Sequence, residues 1–197
     1  MEIKIFEFAA GARQAKGITV IIDVFRAFSV ACYAFESGAS RVVASAGAAE
    51  AFELRKKYKA SVLAGERNEK KIEGFDFGNS PTEIIREDLS GKTFIFTTTA
   101  GTNGLMNATG ADLLLTGSLV NAGAVAEFIR RRNPVDVSLV AMGYRGLQSS
   151  DEDLLCASII SDRLNGIETS YDSRIHLLKD GAGKDRKSTR LNSSHRL

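Results

Sequence analysis

Six short apolar runs recur along this chain, with segments of helical length between them. The runs are residues 18–22 (ITVII), 41–45 (RVVAS), 61–64 (SVLA), 93–97 (TFIFT), 112–115 (DLLL) and 135–141 (VDVSLVA). Most are continuous rather than alternating, which is the mark of strands covered on both faces. Residues 27–37, 48–58, 81–89, 101–108, 122–132 and 151–164 have the spacing of helices, and residues 2–8 alternate like an edge strand. Strands alternating with helices predict an α/β fold: a layered α/β/α domain with a largely parallel, or mixed, sheet. Punctuation agrees. Ser80-Pro81-Thr82-Glu83 and Ser150-Asp151-Glu152-Asp153 read as helix starts, the first as a capping box. Asn121 is placed to cap the helix at 122, and Asn133-Pro134 to end it.

The chain has 197 residues, 44% of them hydrophobic and 25% charged, enough for one domain with its own core. That domain is expected over residues 1–180, cut short at its C-terminus. Residues 181–197 are polar and aperiodic and are expected to be a disordered tail of non-native character. The formal charge of +2 comes from that tail, because residues 184–197 carry five basic groups and one acid. The body is mildly acidic and shows no basic stripe with interleaved aromatics, which argues against nucleic-acid binding. No apolar stretch is long enough to span a bilayer, and the first residues lack the pattern of a secretion signal, so a soluble cytoplasmic protein is expected. Cys32 and Cys156 sit in apolar helical contexts and read as reduced core thiols. The sequence leaves homo-oligomerisation open.

In parallel α/β sheets, ligands collect beyond the carboxyl ends of the strands. There the sequence places Asp23 and Arg26, then Glu66 and Arg67, then Thr98, Thr99, Gly101 and Thr102, then Thr116-Gly117-Ser118, then Gly143-Tyr144-Arg145-Gly146. Residues 64–81 (AGERNEKKIEGFDFGNSP) add Asp76, Asn79 and Ser80, and are expected to be loop for most of their length. Carboxylates hold a hard cation, while Arg and backbone N–H groups hold the anion that the cation activates. Each feature also has a bland alternative. Asp23 can cap the helix at 27, Glu66 and Arg67 can form a surface pair, Asp76 can shape a turn, and residues 151–153 can complement a helix dipole.

Several chemistries are set aside by composition. The histidines, His176 and His195, lie near or inside the tail, which argues against phosphohistidine and Ser-His-Asp mechanisms. Arg163 is one residue too far from Cys156 for a Cys-x5-Arg phosphate loop, Asp23-Val24-Phe25 lacks the second Asp of the haloacid-dehalogenase motif, and no GxxxxGK[ST] occurs. Carboxylates, amides and hydroxyls remain, and these fit Mg²⁺, or Mn²⁺ in its place.

The segments IIDVFRA (21–27), AGER (64–67), GFDFGNSP (74–81), TTAGT (98–102), GSLVNA (117–122) and SSDED (149–153) together resemble the 2-phosphosulfolactate phosphatase family. The resemblance implies a Mg²⁺-dependent phosphoric monoester hydrolase of coenzyme M biosynthesis, converting 2-phospho-3-sulfolactate to 3-sulfolactate and phosphate. Carried onto this chain, it implies catalytic roles for Asp23, Glu66 and Asp76, and metal binding by Asp23, Glu66, Asp76, Glu152 and Asp153. It also implies substrate binding by Arg26, Arg67, Asn79, Ser80, Thr98, Thr99, Gly101, Thr102 and Asn121. Arg145 and Lys71 are candidates for a second anionic pocket. Two departures stand out: Ala100 replaces an Asn usual in the family, and Phe28-Ser29 replaces a Thr-rich stretch. The alternative reading is a small-anion-binding module of the same fold that does little or no chemistry. A phosphotransferase or isomerase using the same residues is a third.

Overall fold

The computed structural model describes residues 1–67 and 70–180, and the tail expected at 181–197 lies outside the described residues. The described residues form two four-stranded sheets. The first contains β1 (Glu2–Glu7), β2 (Gly17–Ile22), β7 (Ala111–Gly117) and β8 (Asp136–Ala141), in the order β1-β8-β2-β7 and parallel throughout. The second contains β3 (Arg41–Ala44), β4 (Ser61–Arg67), β5 (Lys70–Lys71) and β6 (Thr93–Thr97), in the order β3-β6-β4-β5. Its long strands are parallel, and β5 alone runs antiparallel, back along the end of β4. The expected α/β class is therefore present, with a parallel sheet and a mixed one. Residues 64–81 start with strand rather than loop, because β4 continues through Glu66 to Arg67 and pairs there with β5.

Side chains alternate across each strand and sort the helices into layers. In the first sheet, Ile18, Val20, Ile22, Val137 and Leu139 face α6 (Ala122–Arg132) and α7 (Asp151–Leu164). Ile21 and Val140 face the opposite way, onto α2 (Ala27–Glu36). In the second sheet, Ala64, Phe94 and Phe96 look toward α2 as well, whereas Leu63 and Ile95 look outward onto α3 (Ala48–Lys57). The short helices α1 (Phe8–Ala12) and α5 (Gly101–Asn107) share the middle layer with α2. Phe28, fully buried, meets Phe96 edge-on at 6.4 Å between ring centroids. Phe28, part of one of the two departures noted above, is thus a core residue between the two sheets.

The helix expected over 81–89 stops early, as α4 (Pro81–Ile84). Tertiary bonds replace the helical ones: the Ser37 hydroxyl donates to Ile84 O, and the Leu89 N–H donates to Ser37 O at 2.8 Å. The capping box is also remade, because Glu83 Oε2 accepts from Gly78 N–H at 2.8 Å, and Ser80 pairs with the Thr82 hydroxyl. Before the tail the chain adds α8 (Asp172–Asp180), for which the sequence carries no clear period. Among the described residues no helix is long and apolar enough to cross a membrane.

Truncating a large side chain in a layer that packs against two sheets leaves a cavity that neither sheet can close. Phe28→Ala is expected to lower unfolding stability by about 3–5 kcal/mol in urea denaturation. Leu147→Ala, at a side chain 79% exposed, is expected to change it by less than about 0.5 kcal/mol.

Candidate active site

All the long strands end on the same side of the molecule, and their carboxyl ends from both sheets enclose one cleft. From the first sheet come Asp23, Phe25 and Arg26 after β2, and Gly143, Tyr144 and Arg145 after β8. From the second come Glu66 near the end of β4 and Thr98, Thr99 and Ala100 after β6. Asn79 closes one side, and Glu152 and Asp153 enter from the first turn of α7. Four carboxylates and two guanidinium groups therefore share a space with the hydroxyls of Thr98, Thr99 and Tyr144, the Asn79 amide, and Phe25, Ala100 and Gly143.

Each wall is held by local bonding. Glu66 Oε1 accepts from the Thr99 N–H at 3.2 Å and the Thr99 hydroxyl at 3.0 Å, so the end of β4 is tied to the turn after β6. That turn is closed on itself, as the Thr102 hydroxyl donates to Thr98 O at 2.7 Å and the Thr102 N–H to the Thr98 hydroxyl at 3.3 Å. Gly101, at the start of α5, lies so close to the site that a methyl group there would sit 2.9 Å from Asp23 Oδ2 and 3.1 Å from Ala27 and Phe28. Gly143 has φ of +66°, and a methyl there would meet Gln148 O at 2.2 Å, so only glycine lets the chain turn from β8 into the Tyr144–Arg145 loop.

Asp153 joins three segments. Its Oδ1 accepts from Val24 N–H at 2.8 Å and its Oδ2 from Gly143 N–H at 2.8 Å. One buried carboxylate at the start of α7 thus fixes the ends of β2 and β8, and with them Asp23 and Arg145. Burial first, and then the neighbouring Asp23 carboxylate, push Asp153 up to about 7, against the pull of its two N–H donors. Such crowding of like charge is relieved by a proton or by a cation. The donors are all oxygen, and the thiols are unsuited: burial raises Cys156 and Cys32. This donor set fits Mg²⁺. Among the described residues no three acids, histidines or cysteines stand ready as a closed cage. Mg²⁺ does not require one, since it is usually held by one or two carboxylates, water and substrate phosphate.

The structure brings together Asp23, Arg26, Glu66, Asn79, Thr98, Thr99, Glu152 and Asp153 from the residues expected by sequence. Gly101 and Thr102 stand directly behind the cleft and shape it. Asp76 is placed outside this group. Its carboxylate takes two bonds from Arg55 at 2.8 and 2.9 Å and one from Leu63 N–H at 2.7 Å, so it braces α3 against β4 outside the cleft. Asn121 also differs, because it accepts from Ser118 N–H at 2.8 Å and donates to Thr116 O at 2.9 Å, folding its own loop. Ser80 pairs with Thr82 and does not line the cleft. Arg67 borders a neighbouring cavity, and Lys71 an outer groove. Arg145 lies in the main cleft, beside Tyr144, with its guanidinium 5.1 Å from that ring. Tyr144 and Phe25 also line the cleft, although neither is a candidate on sequence grounds; the glycine-flanked MGYRG after β8 is the available signal for Tyr144.

Residues 6–193 match the sequence profile of the family described as 2-phosphosulpholactate phosphatase. The chain belongs to this family. It is similar to a protein of Caldanaerobacter subterraneus subsp. tengcongensis named "Probable 2-phosphosulfolactate phosphatase", with 42% identity over 156 residues, 78% of this chain and 64% of the relative. A protein of the same name from Clostridium acetobutylicum is 42% identical over 154 residues, covering 76% and 65%. Another, from Carboxydothermus hydrogenoformans, is 41% identical over 141 residues, covering 72% and 58%. The chain thus spans less than two thirds of the length of these relatives.

A carboxyl group whose proton affinity is higher in the folded state stabilises the fold at low pH and loses that contribution as pH rises through its folded value. Metal-free protein is therefore expected to lose thermal stability between about pH 4 and about pH 7. Asp153→Asn should flatten that slope, and Mg²⁺ should raise the melting temperature most above pH 7. Melting curves across the pH series check both.

Proposed function

We propose that this chain carries the active site of a Mg²⁺-dependent phosphoric monoester hydrolase acting on 2-phospho-3-sulfolactate, in the cytoplasm. One observation supports this reading above the others: acids from the strand ends of two separate sheets and from the start of α7 meet two arginines in a single cleft. A surface ion-pair network would not draw buried Asp23, Glu152 and Asp153 to the place where Arg26 and Thr99 also arrive. The names of the relatives supply the substrate.

Glu66 and Glu152 would hold the ion, together with water and the substrate phosphate, and the bound ion would neutralise charge on the phosphoryl oxygens. Arg26 and Arg145 take the remaining phosphoryl oxygens through charge-assisted N–H bonds. Thr99, through its N–H and hydroxyl, keeps Glu66 turned into the cleft. Asp23 takes a proton from the attacking water as the oxygen–phosphorus bond forms, and the ester oxygen leaves with the bonding electrons and is protonated from solvent. Asp153 touches neither metal nor phosphate in this scheme; with both oxygens engaged by backbone, it sets the position of Asp23.

Phosphate release from 2-phospho-3-sulfolactate tests the reading. Turnover is expected with Mg²⁺ and not with EDTA. Asp23→Asn should lower kcat by roughly 10²-fold or more, and Glu66→Gln should weaken the Mg²⁺ dependence. Asp76→Asn should lower the melting temperature while turnover persists. Turnover that survives Asp23→Asn, or that is lost with Asp76→Asn in folded protein, contradicts the assignment.

A further inference from the structure

The cleft that holds the acids offers a volume of about 80 Å³, well under the ~300 Å³ at which small-molecule sites begin. A second cavity of about 450 Å³ adjoins it. The two share Glu66, Thr98 and Thr99 as a common wall. On the far side of that wall stand Arg67 and Asn103, with Met106 at the rim. Arg67 is the next residue after Glu66 on β4; Glu66 lines both cavities, and Arg67 lines the second cavity and the outer groove next to it, but not the first. Its guanidinium passes Gly47, where an added methyl would lie 3.6 Å from Nη2. Among the described residues Arg67 forms no ion pair.

We infer that this second cavity is the subsite for a sulfonate at the far end of the substrate, with Arg67 as its anion-binding residue. The inference rests on the phosphatase reading for the identity of the substrate, and on cavity geometry for the contact. In 2-phospho-3-sulfolactate the phosphate and the carboxylate both branch at C2, and the sulfonate lies one methylene further on. The sulfonate is therefore the group that reaches furthest from phosphorus, and with the phosphate in the small acid-lined cleft it extends toward the adjoining, larger cavity. A guanidinium fork and an amide match three sulfonate oxygens, and the Met106 side chain offers apolar contact to the methylene. Arg67 thus selects substrates bearing a second, distal anion and takes no part in bond cleavage.

The test uses the full chain, as wild type, Arg67→Ala and Arg67→Lys, with two esters: 2-phospho-3-sulfolactate and 2-phospholactate, which lacks the sulfonate. Sulfoacetate, which carries no phosphate, is titrated calorimetrically in parallel. Arg67→Ala is expected to raise KM for the sulfonated ester roughly tenfold more than for 2-phospholactate, with kcat affected less than KM. Arg67→Lys should recover part of that loss. Sulfoacetate should bind wild type and Arg67→Lys but not Arg67→Ala. Equal losses on both esters, unaltered sulfoacetate binding by Arg67→Ala, or no sulfoacetate binding by wild type overturns the subsite. If neither ester is hydrolysed while sulfoacetate binding still depends on Arg67, the phosphatase reading fails and the anion subsite stands.

Discussion

Helix α2 is covered from both sides, and its packing sets how far apart the two sheets stand. Ala27, Phe28, Val30, Ala31 and Ala34 are all buried, between Ile21 and Val140 of one sheet and Phe94 and Phe96 of the other. Small side chains let the helix approach closely, and Phe28 fills the space that remains. Both sheets must then present their carboxyl ends at a fixed separation. That separation is the width of the cleft. Asp23 precedes α2 by one short turn, and Phe28 N–H donates to Asp23 O, so the same helix that spaces the sheets also carries one of the site's acids.

Much of this is legible in the residues. The β-α alternation gives nearly every long element within a residue or two, because continuous apolar runs and helical periodicity are local signals. The partition into two sheets is not local. Nothing in TFIFT says that β6 pairs with β3 and β4, or that β8 lies between β1 and β2. The cleft is legible in the residues just past the end of each strand, since parallel strands must deliver their ends to one side. That logic still holds with two sheets, because both point the same way.

The expected site residues that stand apart from the cleft have one thing in common. Asp76, Asn121 and Ser80 are polar residues in loops, and polar loop residues have two employers: ligands and their own backbone. Asp76 is claimed by Arg55 from a helix 21 residues upstream and by Leu63 N–H. Asn121 is claimed by the turn it sits in. Such partners cost little to make and leave no mark in sequence. Asp153 shows the converse: its place at a helix start suggests a dipole or a metal, yet it spans to Val24, 129 residues away, and to Gly143. Glu66 and Arg67 are adjacent on one strand, and both line the second cavity while only Glu66 also reaches the first.

Anomalous diffraction from crystals soaked with Mn²⁺ and phosphate tests the central claim directly. The account predicts a single strong anomalous peak in the cleft at the carboxylates of Glu66 and Glu152, with phosphate beside it on Arg26. A peak at Asp76, or phosphate bound away from the cleft between the sheets, would contradict it.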